Sequence, residues 1–266
     1  MTRKPPRRES KPPRRESKLA RSETKPRGEP TVAPHGVARV ISKLGLGSRT
    51  QAAQWVREGR VRVNGALIRD AELPVRQGLD RIEIDGEVPA PARRIALMLN
   101  KPRGLVTTVK DEQGRATVYD CFAGQSLPWL APIGRLDKAS EGLLLFSNDP
   151  AWAARISDPG SGPPKTYHVQ IDRVPDAALL ADLERGAVVD GERLAVRSAR
   201  RLRMGEKNAW AEIVLDEGRN RHIRRLLEAF DVSVLRLVRV AIGPLSLGDL
   251  PKGEWRMLTR QEMDSL

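Results

Sequence analysis

The chain has 266 residues, with 47 Lys+Arg against 34 Asp+Glu and a formal net charge of +13. That length supports one or two domains with a sizeable core, and the charge favours a polyanionic partner, nucleic acid first, although a structural protein of the ribosome would carry the same charge. A single cysteine, Cys121, excludes an internal disulfide and fits a reducing compartment, the distant His35, His168 and His222 offer no zinc spacing, and no apolar run nears the roughly 18 residues of a membrane span or forms a signal-peptide core.

Residues 1–34 stand apart. They hold 11 Lys+Arg, 4 Glu and seven prolines, and Lys4-Pro5-Pro6-Arg7-Arg8-Glu9-Ser10 recurs unchanged as Lys11 to Ser17. Such a segment buries too little apolar surface to offset its ordering entropy, so a disordered basic tail is expected. It serves either as a weak phosphate-seeking arm or as a solvated spectator.

Residues 35–90 read as a small module. Val37, Val40, Ile41 and Leu44 share a helical face, which Gly45 and Gly47 end. Ser48-Arg49-Thr50-Gln51 has the form of a capping box, and the second helix it starts stops at Gly59. Arg60-Val61-Arg62-Val63 alternates as a strand before the hairpin signal Asn64-Gly65, and residues 81–86 alternate again. Arg49, Arg57, Arg60 and Arg62 line the helix ends and hairpin, a rim suited to phosphate contacts, though a charge run is more often a solvated face. Pro89-Ala90-Pro91-Ala92 is a short linker.

In residues 91–266, a strand over 95–99 leads into the turn Asn100-Lys101-Pro102-Arg103-Gly104, and 105–109 reads as the next strand. Asp111 to Thr117 contains Gln113-Gly114-Arg115. Further on, Asp137 sits between Arg135 and Lys138, just before Ser140-Glu141-Gly142 and the apolar run Leu143 to Phe146. That run reads as a buried strand closed by the turn residues Ser147-Asn148-Asp149-Pro150. An acid held at the lip of a core strand among cations suits work beside a polyanion; a lone Asp beside an Arg is more often a surface ion pair. A short helix over 151–157 precedes Lys165-Thr166-Tyr167-His168-Val169, which enters a strand. An amphipathic helix over 175–186 turns Leu179, Leu180 and Leu183 inward. Glu217-Gly218-Arg219-Asn220-Arg221-His222-Ile223-Arg224-Arg225-Leu226 opens a buried helix with Ile223, Leu226, Leu227 and Phe230 on one stripe. Its arginines sit at the N-terminus, which favours anions.

Gly-Arg-Leu-Asp followed by Ser-Glu-Gly-Leu-Leu-Leu resembles the catalytic motif of the pseudouridine synthases, most closely the small-subunit-type (Rsu) ribosomal RNA group. Asn-Lys-Pro-x-Gly, Lys-x-Tyr and the arginine block at 217–226 resemble that family's other motifs in the right order. His222-Ile223 departs from the usual Gln-Val. Gly-Ser-Arg with Gly-Arg-Val-Arg-Val-Asn-Gly resembles the alpha-L RNA-binding motif that such synthases carry ahead of the catalytic domain. The resemblance spans residues 36–260. It implies an α+β fold in which an RNA-binding module (35–90) precedes a catalytic domain (91–266) with a mixed, largely antiparallel sheet.

The resemblance also implies Asp137 as catalytic carboxylate, Tyr167 stacked on a flipped uracil, and Arg224 paired with Asp137. Arg135, Lys101, Arg221 and Leu237 are then substrate-binding candidates, with Lys101 bracing the catalytic loop as part of its turn. Isomerisation consumes no water and changes no redox state, so neither cofactor nor metal is expected. A monomeric cytoplasmic enzyme acting on ribosomal RNA is the expected whole. Two rival readings are a non-catalytic ribosome-assembly protein and a metal-dependent nuclease using Asp137 with Glu141 or Asp149.

Overall fold

The structure is a computed structural model that describes residues 1–2 and 33–266. The repeat and the expected disorder of the tail lie outside the described residues. Residues Pro34–Leu266 form one unit with three apolar cores. The first core belongs to the small module: β1 (His35–Gly36), α1 (Val37–Lys43), α2 (Arg49–Arg57), β2 (Val61–Val63), β3 (Ala66–Leu67), β4 (Pro74–Val75) and β5 (Ile82–Ile84). Val37, Val40 and Ile41 are fully buried against Ala52, Val56 and Val61, as the helical spacing requires. The Ser48 hydroxyl accepts from the Gln51 amide at 3.0 Å, satisfying one free donor of α2. Asn64 and Gly65, at φ 50 and 83, turn β2 into β3.

The module is tied to the rest at one seam. The Leu44 carbonyl accepts from the Ala92 amide at 3.0 Å. Gly45 is at φ +76, and a Cβ there would meet the Ala92 and Asn148 side chains at 3.2 Å. Asn148 accepts from the Ile95 amide and donates to the Arg93 carbonyl, both at 2.9 Å.

The larger part holds β6 (Ala96–Lys101), β7 (Ala131–Ile133), β8 (Glu141–Ser147), β9 (Lys165–Ile171), β10 (Ala187–Val189), β11 (Glu192–Leu194), β12 (Ser198–Met204), β13 (Ala209–Leu215), β14 (Val234–Ile242), β15 (Leu245–Ser246) and β16 (Trp255–Met257). Its helices are α3 (Pro150–Ser157), α4 (Ala177–Arg185), α5 (His222–Glu228) and α6 (Arg260–Asp264). A nine-stranded sheet runs β12-β13-β9-β14-β8-β6-β16, with β15 on β14 and β7 on β8. Its pairs are antiparallel except β8 with β14, which is the expected mixed sheet.

Every residue of β8 is buried because its alternating side chains feed two cores. Leu144 and Phe146 join α4 and α5 through Leu183, Ile223 and Leu226. Leu143 and Leu145 join α3 and α6 through Trp152, Ile156 and Met263. That two-sided burial explains the unbroken apolar run.

Residues 105–109, expected to be a strand, are not one. Only a single bridge, Val106 with Thr117, forms there. The Val106 amide donates to Ala116 O at 3.0 Å and the Thr107 hydroxyl to Leu136 O at 2.8 Å. The segment's polar groups serve the loop around Asp137 instead of a ladder.

Candidate active site

Asp137 lies on the loop between β7 and β8, half-buried above the buried Leu136. Its backbone carbonyl accepts from the Ser140 amide at 2.9 Å and from Lys101 Nζ at 3.2 Å. The same ammonium donates to Ser140 O at 2.8 Å and Pro102 O at 3.1 Å. Lys101 thus saturates its three donors on the Asp137 loop and its own turn. It is 0 % exposed, so of its two expected places the substrate-binding one is corrected, and it holds the loop as its turn implies. Burial outweighs the pull of Glu141 and Asp137 and lowers its pKa to about 8.

A cavity of about 170 Å³ opens beside Asp137, and it gathers Arg135, Tyr167, Arg221, Arg224 and Leu237. Tyr167 reaches it from β9, Leu237 from β14, and the arginines 221 and 224 from the start of α5. Arg221 caps α5 in a left-handed conformation, φ 49. Among the described residues Asp137 is the only carboxylate on the lining, against Arg135, Lys165, Arg219, Arg221, Arg224 and Arg239. The expected charge pair of Arg224 with Asp137 is not made. Arg224 donates instead to Val234 O and Ala139 O, each at 3.3 Å. Burial and the nearby Arg221 lower its pKa, while Asp137 acts on it through space in the opposite sense.

Sequence reasoning did not single out Lys165 or Arg239 as site residues. Both line the cavity, and the signal was available: Arg239 follows Leu237 by two on one strand, hence on one face. Burial and the neighbouring Arg239 lower the Lys165 pKa against Asp216 and Asp158. Buried side-chain polar atoms without a hydrogen-bond partner occur, among the described residues, only in His222, Arg224 and Arg239. All three line this cavity. Buried donors are ordinarily paired, and Arg224 Nε and Arg239 Nη2 are two such donors left over beside Asp137.

On its other side Asp137 borders a wider cleft of about 420 Å³ with Lys110, Arg115 and Lys138. Asp111 shapes its rim by pairing with Arg115 at 2.7 Å. This gives the Asp111–Thr117 stretch a place next to the Asp137 loop. Glu141 and Asp149, the partners a nuclease would need, do not line the cavity. Glu141 is paired with Arg236 at 2.7 Å and Lys252 at 2.5 Å, and Asp149 caps α3. Among the described residues no group of three or more His, Cys, Asp or Glu converges.

In the small module Arg49 and Arg57 are exposed. Arg49 shares a cavity of about 420 Å³ with Arg39, Lys43 and Arg94 at the seam with α3; Arg39 and Arg94 were not anticipated. Arg60 is engaged already, held by Asp85 at 2.6 and 2.9 Å and lying 5.4 Å from the Trp55 ring centroid. Arg62 donates to Gly65 O at 2.9 Å.

Residues 95–229 match the RNA pseudouridylate synthase family, and residues 37–80 match the S4 domain, which is the alpha-L-type motif. The chain is 34% identical to ribosomal large subunit pseudouridine synthase B of Bacillus subtilis, over 86% of this chain and 93% of that one. It is also 34% identical to the protein of the same name in Pseudomonas aeruginosa, over 86% of this chain and 60% of that one. A crystal structure of a pseudouridylate synthase superposes with a TM-score of 0.62 at 28% identity, over 87% of this chain and 99% of that one. The chain belongs to the RNA pseudouridylate synthase family, with an S4 domain ahead of the synthase domain.

Proposed function

We propose that this enzyme isomerises a uridine of large-subunit ribosomal RNA to pseudouridine, with Asp137 as the catalytic carboxylate. The observation that carries the reading is a cavity whose one carboxylate, Asp137, faces Tyr167 and six cations. The large-subunit assignment is supported by the names of the Bacillus and Pseudomonas relatives.

The reaction breaks the bond from N1 of uracil to C1′, turns the base over, and joins C5 to C1′. The proton leaves C5 and N1 gains one, so nothing is oxidised and no water is consumed. Asp137 supplies the nucleophile or base. Tyr167 gives the flipped base a flat face. Arg224 braces the loop through Ala139 O, and Arg135 and Arg221 take phosphates at the mouth. Residues 35–90 hold the RNA and 91–266 perform the chemistry, in a monomer working in the cytoplasm.

The test is to incubate the purified chain with large-subunit RNA transcript and map pseudouridine by carbodiimide adducts and primer extension. One new adduct site is expected, absent when the protein is omitted. No adduct on either subunit's RNA overturns the reading.

A further inference from the structure

We propose that Arg239 recognises the O4 carbonyl of the target uracil from the deep end of the cavity. The inference rests on the reading that the cavity takes a flipped uridine. Arg239 pairs in register with Tyr167 across β14 and β9, so the two side chains leave the sheet on the same face and line the same cavity. The guanidinium is set by one bond, Nε to Leu143 O at 2.7 Å. It is 5 % exposed, and its Nη2 has no partner. A rigid, buried donor left unpaired lowers stability unless a ligand brings it an acceptor.

The chemistry of the ligand says which acceptor. The sugar and phosphates stay at the mouth, where Arg135 and Arg221 are exposed, so the part of the base farthest from the sugar goes deepest. On uracil that edge carries O4. On cytosine it carries an amino group, which would set donor against donor.

The reaction adds a second reason for a donor at this place. Bringing C5 to where N1 stood turns the ring about the line through N3 and C6, and that rotation exchanges O4 with O2. Both are carbonyls. A single fixed donor therefore meets an acceptor before and after the turn, and Arg239 holds the base through the step in which it has no bond to the sugar. Lys165, beside Arg239, extends the same donor wall.

The test is a cycle between Arg239 and O4, using full-length protein and RNA whose target nucleotide is uridine, cytidine or pyrimidin-2-one, which lacks O4. Binding is measured in the Asp137→Asn background so that no turnover intervenes. Loss of O4 should weaken binding at least about tenfold with Arg239 present, and cytidine should bind no better than pyrimidin-2-one. With Arg239→Met added, uridine and pyrimidin-2-one should bind within about twofold of each other, since the partner of O4 is gone.

An equal penalty with and without Arg239 overturns the proposal. So does a pyrimidin-2-one RNA that binds like uridine RNA to protein retaining Arg239, an arm that stands even if Arg239→Met does not fold. A merely structural Arg239 would leave the ratio between the two RNAs unchanged. Failure of the unmutated chain to convert uridine at all would instead overturn the functional reading, so the two failures are told apart.

Discussion

Gly142 and Arg239 face each other across the parallel pair β8–β14, and a Cβ on Gly142 would lie 2.2 Å from the Arg239 carbonyl oxygen. Gly142 also sits at φ +100, a conformation L side chains rarely adopt. The glycine of the Ser-Glu-Gly motif is therefore what lets the strand that follows the Asp137 loop close on the strand carrying Leu237 and Arg239. Gly142→Ala should destabilise the fold by about 3 kcal/mol or more, because backbone must move against backbone. Urea denaturation checks this, and a destabilisation under about 1 kcal/mol would contradict the close approach.

Lys101 holds three carbonyls of the Asp137 loop and its neighbouring turn. Lys101→Met leaves those acceptors without their donor, a cost of about 3 kcal/mol at about 1 kcal/mol each. Because Lys101 cannot touch RNA, kcat should fall while RNA affinity stays near that of the parent. Anisotropy titration beside single-turnover kinetics separates the two. A defect confined to affinity would return Lys101 to the RNA-binding set.

Asp137→Asn keeps the shape of the side chain and removes its charge and nucleophilicity. Turnover should drop at least roughly a thousandfold, about 4 kcal/mol of barrier, with binding nearly intact. Activity within about tenfold of the parent would remove Asp137 from the chemistry.

Glu141 gives a pH signature. Burial alone would raise its pKa, but hydrogen bonds from Arg236 and Lys252 lower it from 4.5 to about 2. The folded value lies below the unfolded one, so the pair contributes its full stability above pH 4.5 and loses it as pH falls toward about 2. The shift corresponds to about 3 kcal/mol, reduced to about 1–2 by solvent around the half-exposed Arg236 and Lys252. Glu141→Gln should therefore lower stability at pH 7 and flatten its decline between pH 4.5 and about 2. Thermal melts across that range check it; parallel curves for the two proteins would show that the pair contributes nothing.

The module's arginines should differ in their salt response. Removing one arginine that neutralises a phosphate lowers the slope of log K against log salt by roughly 0.7 to 0.9. Arg49→Ala should show that full step, since Arg49 lies among Arg39, Lys43 and Arg94. Arg60→Ala should show less, since Asp85 already compensates Arg60. Binding measured over a potassium chloride series decides, and equal slopes for both variants would mean that RNA displaces Asp85.

Much of the fold is legible in the sequence because the governing signals are local. The spacing of Val37, Val40 and Ile41, the cap at Ser48 and the Asn64-Gly65 turn each fix their element within a few residues. Motif resemblance points to Arg135, Asp137, Tyr167, Arg221, Arg224 and Leu237, and all six line one cavity. What escapes depends on long-range placement. Arg239 joins the cavity only when β14 lies beside β9, whereas the bracing role of Lys101 is legible in its turn and only its complete burial is not. Residues 105–109 have a strand's composition, but no strand lies beside them to pair with.

The seam at Leu44, Gly45, Ala92 and Asn148 sets a ruler. With the S4 domain fixed beside the start of β6 and the end of β8, the span from the module to Asp137 has one length, and RNA helices measure length in nucleotides. On the proposed function, which uridine reaches Asp137 is partly a matter of counting from the module, so inserting residues between Val88 and Ala92 should move the mark along the RNA before it abolishes it.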